Sequence, residues 1–229
     1  MTLPAPSEKA QAVRSMFDRI CRRYDLMNRL MTLGMDQFWR RRAVDRLRLR
    51  PGQLVLDLAC GTGDLAAQAA SRQTRAVGLD FSSGMLGVAR SRRIESAWVC
   101  GDAQNLPFGD RTFDAAVSGF ALRNFADAGA VLLECGRVLR SGARLAVLEV
   151  DEPRAALLRL GHHVYFHRIV PVMGKLIGDH DAYSYLPSSV AYLPTEATLF
   201  DMLARAGFGQ PAKERLFGGA AQIVTAVRN

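Results

Sequence analysis

The sequence predicts an α/β fold in which a doubly wound, mostly parallel sheet of seven strands is covered by helices on both faces. Two observations support this prediction: short apolar runs alternate with helical patterns through the middle of the chain, and a glycine-rich turn follows the first run. Strands that alternate with helices need crossover connections, and such connections produce parallel sheets. The length of 229 residues suits one domain of this kind with an additional lobe.

Residues 1–50 are predicted to form an N-terminal helical lid. Apolar side chains recur every three or four positions between Val13 and Met31, which is the period of one helix face. Gly34 interrupts the pattern, and Asp36 is expected to cap a second helix. The same stretch holds eleven arginines and one lysine against five acidic residues, so it carries +7 of the chain's net charge of +8.

The alternation of strands and helices begins after the lid. The apolar run LVLDLA at 54–59 predicts the first strand, and a helical pattern follows at 64–72. RAVGLD at 75–80 predicts the second strand, and a serine cap opens the next helix at 83–93.

The same alternation predicts three further strands. SAWVC at 96–100 and TFDAAVSGF at 112–120 predict the third and fourth strands. A helix at 127–139 leads to ARLAVLEV at 143–150, which predicts the fifth strand. A helical, aromatic insert is expected at 154–194.

The C-terminal part is predicted to complete the sheet. A helix at 195–208 is expected to be capped by Thr195, and strands near 212–217 and 221–228 follow it. The lid is therefore expected to be followed by a single domain over 51–229 that includes the insert.

The segment LDLACGTGDL predicts a nucleotide-binding turn between a strand and a helix. At Gly61 and Ala66 it matches G-x-G-x-x-A, so a dinucleotide-binding domain is an alternative. Asp80, nineteen residues after Gly61, is expected to accept the two ribose hydroxyls of either cofactor. Asp57 favours S-adenosylmethionine over a dinucleotide. A carboxylate at this position would repel a pyrophosphate, whereas it would attract the ammonium and sulfonium groups of S-adenosylmethionine.

The ordered set DLACGTG, GLD, GDAQNLPF, FDAAVS and LRSGARL resembles the class I S-adenosylmethionine-dependent methyltransferases, whose fold is Rossmann-like. Three flanking segments extend the resemblance to nearly the full chain: VRSMFDRICRRYDLMNRLMTLGMDQFWRR, FALRNF and YSYLPSSVAYLP are similar to the ubiquinone/menaquinone biosynthesis C-methyltransferase family. The resemblance implies methyl transfer to a ring carbon of a polyprenyl quinol. It also implies cofactor contacts at Thr62, Asp80, Asp102, Ala103 and Ser118.

The chemistry of such a transfer requires help at the quinol ring. A ring carbon is a weak nucleophile until a phenolic proton leaves, so a base or a positive group is expected nearby. Arg123 and Asn124 follow the fourth strand, where ligand crevices of α/β sheets open. We expect Arg123 to stabilise the phenolate, Asn124 to hydrogen-bond the quinol oxygen, and Asp102 to act through a water molecule. Residues expected to line the ring pocket are Tyr24, Tyr183 and Tyr185.

Demethylmenaquinol is the favoured methyl acceptor, with menaquinol as the product. A benzoquinol of the ubiquinone route is an alternative because the two rings differ little. A non-catalytic subunit of a quinone-synthesis complex is a second alternative, against which the full set of Asp57, Asp80 and Asp102 argues. RNA methylation is suggested by basicity alone, so no nucleic-acid partner is expected.

The cysteines and histidines predict neither a metal site nor a disulfide framework. Cys21, Cys60, Cys100 and Cys135 lie far apart without a CxxC pair, and the histidines lack the metalloprotease pattern. No apolar run is long enough to span a membrane, and the first residues lack a signal-peptide core, which predicts a cytoplasmic protein.

The basic lid predicts peripheral contact with the inner face of the cell membrane. Arg22, Arg23, Arg40 and Arg41 are expected to meet anionic lipid. Apolar side chains on the same helices would give the prenyl tail a route to the ring pocket: Phe17, Ile20, Tyr24, Met27, Phe38 and Trp39. The alternative is a packed lid with solvated arginines. A homodimer is compatible with the sequence.

Overall fold

The computed structural model describes residues 6–153, 159, 165, 168, 185 and 188–229. Seven strands form one sheet: β1 (Leu54–Leu58), β2 (Arg75–Asp80), β3 (Ser96–Cys100), β4 (Phe113–Gly119), β5 (Leu139–Val150), β6 (Phe208–Leu216) and β7 (Ala221–Arg228). Their order is β3-β2-β1-β4-β5-β7-β6. Strands β1 to β5 pair in parallel, and β7 runs antiparallel to both β5 and β6. The predicted doubly wound, mostly parallel seven-stranded sheet is confirmed.

Six helices are described: α1 (Pro6–Met31), α2 (Met35–Arg46), α3 (Asp64–Ala70), α4 (Ser83–Ser91), α5 (Ala128–Val138) and α6 (Glu196–Arg205). The side chains of Ser82 and Thr195 accept backbone N–H bonds at the starts of α4 and α6, as the sequence predicts. The expected cap at Asp36 is wrong. Helix α2 follows Gly34, which has a φ of 78°, so Asp36 already lies in its first turn.

The core has two layers because the buried strands are apolar on both faces. Leu56 and Leu58 of β1 face the layer that contains α5 and α6. Val55, which precedes Leu56 in the strand, faces the layer that contains α2 and α3. Helix α1 lies instead across the carboxyl ends of the strands, where it covers the loops described below. The division of the chain at residue 50 stays a prediction.

Several boundaries differ from those predicted. Strand β5 begins at Leu139 rather than at 143, because α5 passes directly into it and Leu139 pairs with Phe113. Strand β6 begins at Phe208, since Gly207 ends the preceding turn with a φ of 80°. Most of the predicted insert at 154–194, including Tyr183, lies outside the described residues.

Several lid side chains that were expected to contact lipid or the prenyl tail are buried in the protein. Ile20, Met27 and Trp39 are no more than 6% exposed. Arg40 is 5% exposed, with its Nε 3.6 Å from Asp36 and 3.5 Å from Asp64. A guanidinium enclosed by two carboxylates cannot reach a lipid headgroup, so the expectation for Arg40 is wrong.

Two features of the described residues bear on membrane and metal binding. No helix in this part of the chain is both long and apolar enough to cross a membrane. No three metal-ligating side chains are grouped there, and all four cysteines are free thiols.

Candidate active site

A cavity opens at the carboxyl ends of β1 to β4, where the strand order reverses between β1 and β4. The cavity and its mouth hold about 750 Å³ of empty space. Its floor comes from the loops that follow the four strands, and α1 covers it with Ala10, Phe17 and Tyr24. A reversal of strand order leaves adjacent loops diverging to opposite faces of the sheet, and ligands of α/β proteins bind in the resulting crevice.

The glycine loop after β1 is a tight turn held close to the sheet. Ala59, Gly61 and Gly63 all have positive φ angles, of 53°, 54° and 87°. A Cβ on Gly63 would lie 2.5 Å from the ring of Trp98, whereas one on Gly61 would meet nothing within 4 Å. Ala59 and Gly61 line the cavity. The loop therefore presents open backbone to a ligand at Gly61 and packs against β3 at Gly63.

Asp80, at the end of β2, combines burial with access to the cavity. Its Oδ2 accepts the N–H of Gly61 at 2.8 Å, and its Oδ1 accepts the N–H of Ser82 at 2.8 Å. Burial raises the pKa of this carboxyl to about 6, against the opposing effect of those N–H groups. Each carboxylate oxygen can accept a further bond. The group can therefore bind two ribose hydroxyls, which fits S-adenosylmethionine.

Asp57 lies beneath the glycine loop and not on the cavity wall. Its Oδ2 accepts the N–H of Ala66 at 2.7 Å, which ties β1 to the first turn of α3. Its buried Oδ1 has no hydrogen-bond partner in the described structure. Burial raises the pKa of Asp57 to about 7. A positive ligand group nearby would stabilise the ionised form of this carboxyl, which is consistent with a sulfonium cofactor.

The loop after β3 also lines the cavity. Asp102 and Ala103 line the cavity together with Gly101 and Gln104. The Oδ1 of Asp102 accepts the backbone N–H of Gln104 at 2.9 Å, which fixes the turn. The structure thus brings Gly61, Asp80, Asp102 and Ala103 together around one space.

Thr62 and Ser118 are placed differently from these four residues. The Thr62 hydroxyl donates to Asp25 Oδ1 of α1 at 2.6 Å. The Ser118 hydroxyl donates to the Leu58 carbonyl at 2.9 Å. Neither side chain lines the cavity. Both residues therefore connect the structural elements that surround the site.

Aromatic and amide side chains line the cavity as well. Tyr24 packs edge-to-face on Phe17, with ring centroids 5.8 Å apart, and both line the cavity. Asn124 lines it as well; its Nδ2 donates to the Phe120 carbonyl at 3.3 Å, and its Oδ1 accepts the Tyr185 hydroxyl at 3.3 Å. Tyr185 is 5% exposed, and burial raises its pKa to about 12.

Arg123 lies behind this wall, buried and paired. Its Nη1 forms a short ion pair with Glu149, which is 1% exposed. The same nitrogen donates to the Phe120 carbonyl at 3.0 Å, and Nε donates to Ser189 Oγ at 3.0 Å. Arg123 is not among the cavity-lining residues. Its guanidinium holds the segment that carries Asn124 rather than projecting into the cavity.

Sequence reasoning missed several lining residues. Phe81, Phe120 and Phe125 contribute aromatic surface, and Gln104 contributes an amide. Phe120 has a φ of 60°, a conformation that bulky residues rarely adopt and that often occurs at functional sites. The position of Phe81 and Phe120 directly after a strand was the available signal, because that is where the crevice forms.

Comparison with known proteins gives consistent matches over the whole chain. The model of the ubiE/COQ5 methyltransferase family matches residues 6–228. A demethylmenaquinone methyltransferase of Roseiflexus castenholzii is 41% identical, over 99% of this chain and 97% of the relative. Proteins of the same name from Thermus thermophilus and Mycobacterium tuberculosis are 45% and 39% identical, over 90% and 96% of this chain and 97% and 93% of theirs.

Solved structures show the same fold at low identity. A methyltransferase of Thermotoga maritima, described as a possible histamine N-methyltransferase, superimposes with a TM-score of 0.66 at 21% identity, covering 94% of this chain and 99% of that one. The [4+2]-cyclase SpnF superimposes with a TM-score of 0.69 at 18% identity, covering 96% of each chain. Since the family model spans almost the whole sequence, the chain belongs to the ubiE/COQ5 methyltransferase family and is an S-adenosylmethionine-dependent methyltransferase.

Proposed function

We propose that this enzyme methylates a ring carbon of demethylmenaquinol and so produces menaquinol. The observation that carries the proposal is one cavity that is lined both by carboxylates and by aromatic side chains. Asp80 and Asp102 supply the carboxylates, and Phe17, Phe120 and Phe125 supply aromatic surface. This combination suits a charged nucleoside cofactor beside a flat, apolar ring. The relatives with 39–45% identity are named for this reaction.

The protein's contribution is mainly alignment and exclusion of water. The bound cofactor supplies an already activated methyl group. Helix α1 covers the cavity with Phe17 and Tyr24, which shields the ring from solvent and restricts its position. Holding two reactants in a near-attack geometry supplies a large part of the rate enhancement in reactions of this type.

Asn124 is the residue that we assign to the quinol oxygen. Its carbonyl oxygen and one N–H are engaged by Tyr185 and Phe120, which fixes the orientation of the amide. The second N–H of the same nitrogen can donate to an oxyanion on the ring. Such a donor stabilises the charge that develops when the phenolic proton leaves.

We assign different roles to the remaining predicted residues. Arg123 is a positioning residue that acts through the Phe120 carbonyl, because its charge is neutralised by Glu149. Asp102, the second carboxylate on the described cavity wall, accepts the quinol proton through a water molecule. Tyr24 and Tyr185 shape the ring pocket. Proposed cofactor-binding residues are Asp57, Gly61, Thr62, Asp80, Asp102, Ala103 and Ser118, of which Thr62 contributes its backbone because its hydroxyl is bonded to Asp25.

Methyl transfer from radiolabelled S-adenosylmethionine tests the proposal. The purified protein is supplied with reduced demethylmenaquinone, its oxidised form, or the corresponding demethyl benzoquinol. We expect label in the naphthoquinol and none in the oxidised compound, since only the quinol can form the nucleophilic phenolate. Faster labelling of the benzoquinol would support the ubiquinone route instead. No transfer to either quinol would favour a non-catalytic subunit.

We further propose that the enzyme binds reversibly to anionic membrane surfaces, where its polyprenyl substrate resides. Arg22 and Arg23 are exposed on α1, and Leu26 and Leu30 follow them at 56% and 41% exposure. With 100° per residue, Arg22, Leu26 and Leu30 lie on the face opposite Tyr24, and Arg23 lies at the edge of that face. One helix thus turns aromatic side chains to the cavity and a basic, apolar face outward.

The corner between α1 and α2 extends this outer face. Leu33 is 85% exposed, and Phe38 is 53% exposed in the first turns of α2. Arg41 lies three residues after Phe38 and is also exposed. Apolar side chains beside arginines are the composition of interfacial helices that bind anionic lipid.

Co-sedimentation with vesicles containing phosphatidylglycerol tests this second proposal. The wild type should bind at low salt and dissociate at high salt, because exposed charges are screened within about 10 Å at 0.1 M. Two double variants should reduce binding: Arg22→Glu with Arg41→Glu, which reverses charge, and Leu26→Ser with Leu33→Ser, which removes exposed apolar side chains. Both variants should lose activity on a long-tailed quinol in vesicles and retain activity on a short-tailed soluble analogue.

Two variants serve as matched controls. Arg111→Glu reverses the charge of an exposed arginine just before β4, at the amino ends of the parallel strands and therefore on the side of the sheet away from the cavity. Leu133→Ser changes a leucine that is 54% exposed on α5. Neither should affect vesicle binding. Equal losses for both tail lengths would mean that the outer face supports the lid, and size-exclusion chromatography of each variant would reveal a dimer interface instead.

A further inference from the structure

Helix α1 is hydrogen-bonded to both loops of the cofactor end. The Oδ1 of Asp18 accepts the Ser82 hydroxyl at 2.6 Å and the Gly84 N–H at 3.0 Å, in the loop that follows Asp80. About two helical turns further along α1, the Oδ1 of Asp25 accepts the Thr62 hydroxyl at 2.6 Å. The lid therefore contacts the glycine loop and the β2–α4 loop through two separate carboxylates.

The spacing along α1 makes these contacts simultaneous with closure of the cavity. Asp18 and Asp25 are seven residues apart, as are Phe17 and Tyr24, and seven residues are almost two full helical turns. The carboxylates therefore form one row above the loops, and the aromatic side chains form an adjacent row facing the cavity. When the two carboxylates are hydrogen-bonded to the loops, Phe17 and Tyr24 therefore cover the cavity.

Close packing shows that the helix is fitted to these loops. A Cβ on Gly84 would lie 3.0 Å from Asp18 Oδ1 and 3.2 Å from Asp18 Cα. Contacts this short are tighter than most Cβ contacts in proteins, so glycine permits the close approach of α1 to the start of α4. A side chain at position 84 would require one of the two helices to shift by a few tenths of an ångström.

The two contacts are joined beneath the lid by Asp80. Ser82, which donates its hydroxyl to Asp18, donates its N–H to Asp80 Oδ1. Gly61, next to Thr62, donates its N–H to Asp80 Oδ2. These bonds form a closed path, the latch circuit, that starts and ends on α1: Asp18, Ser82, Asp80, Gly61, Thr62 and Asp25.

We propose that the latch circuit couples closure of α1 to cofactor binding, so that the cofactor binds first and the closed lid then completes the acceptor pocket. A ligand held by Asp80 fixes the two loops that α1 grips, and the closed lid in turn holds the ligand. Such coupling is reciprocal for binding free energies. In this arrangement the Thr62 hydroxyl binds the lid and not the cofactor. The inference requires only the cofactor and is independent of the identity of the methyl acceptor.

Hydrogen exchange and cofactor release together test the coupling. S-adenosylhomocysteine should increase the protection of α1 backbone amides in the wild type, and the variant Asp18→Ala with Asp25→Ala should lack this increase. Because bonds to a charged acceptor are among the stronger ones, the double variant should release S-adenosylhomocysteine at least about tenfold faster. Asp45→Ala is the matched control, since Asp45 is paired with Arg72 outside the circuit.

Thr62→Val provides a second test that preserves shape and charge. It removes only the hydroxyl, so it should release S-adenosylhomocysteine faster and reduce the ligand-induced protection of α1. If Thr62→Val weakens binding while protection of α1 by ligand is unchanged, the hydroxyl contacts the cofactor and the proposal is wrong. Unchanged exchange of α1 on ligand binding in the wild type would also overturn it.

Discussion

Replacement of Arg123 by leucine should destabilise the protein by about 3–5 kcal/mol, because it leaves a buried carboxylate without its cation. The Glu149 side chain is 2% exposed, and its other bonds come from the backbone N–H groups of Arg123 and Val150. The variant also loses the bonds to Ser189 and Phe120. At about 2–4 °C per kcal/mol for a chain of this size, the Tm should fall by about 6–20 °C.

The double variant Arg123→Leu with Glu149→Leu separates the ion pair from any direct role in catalysis. An apolar pair can replace a buried ion pair at little cost, so much of the lost stability should return. Urea unfolding of the wild type, both single variants and the double variant gives the coupling between the two side chains. Additive losses, within about 0.5 kcal/mol, would refute the energetic argument.

Activity of the stabilised double variant then tests the positioning role. If Arg123 acts only by holding the segment that carries Asn124, cofactor affinity should stay near the wild-type value and turnover should fall by less than about tenfold. A loss of about a hundredfold or more in a fully folded double variant would mean that Arg123 stabilises the phenolate directly.

Three further results are expected. Asp80→Ala should weaken S-adenosylmethionine binding by about tenfold to a hundredfold in calorimetry, since bonds to a charged group are worth about 1.5–3 kcal/mol; unchanged affinity would contradict the assignment. Burial raises the pKa of Asp57 to about 7, so its contribution to stability is present at acid pH and is lost as the pH rises through 7. The difference in stability between the wild type and Asp57→Asn should therefore change by up to about 1.4 kcal/mol per pH unit between pH 4 and 7, and a constant difference would count against the shift. Asn124→Ala should lower turnover with the quinol while cofactor affinity stays normal; equal losses in both would indicate a structural role.

The sheet and the cofactor end of the site were predictable because their signals are local. Strand and helix periods, the glycine loop around Gly61 and the position of Asp80 after a strand are all readable within short windows. Parallel strands place their carboxyl ends at one edge, so the approximate grouping of Asp80 and Asp102 follows from order alone.

The contacts that assign roles to individual residues were not predictable in this way. Arg123 pairs with Glu149, 26 residues away, and Thr62 bonds Asp25, 37 residues away. No local pattern records such pairs, so the sequence did not show that the Arg123 guanidinium and the Thr62 hydroxyl have partners within the protein. The burial of Ile20 and Met27 was not predictable either, because apolar spacing identifies a helix face but does not show whether that face packs against the core or lines a route for the prenyl tail.

The position of the transferred methyl group shows directly whether the enzyme methylates a ring carbon of demethylmenaquinol. The enzyme is incubated with S-adenosylmethionine that carries ¹³C in its methyl group and with reduced demethylmenaquinone, and the product is examined by NMR. We expect a ¹³C-labelled methyl group on the ring carbon that is unsubstituted in the substrate. A labelled methoxy group, or label recovered only in unreacted cofactor, would contradict it.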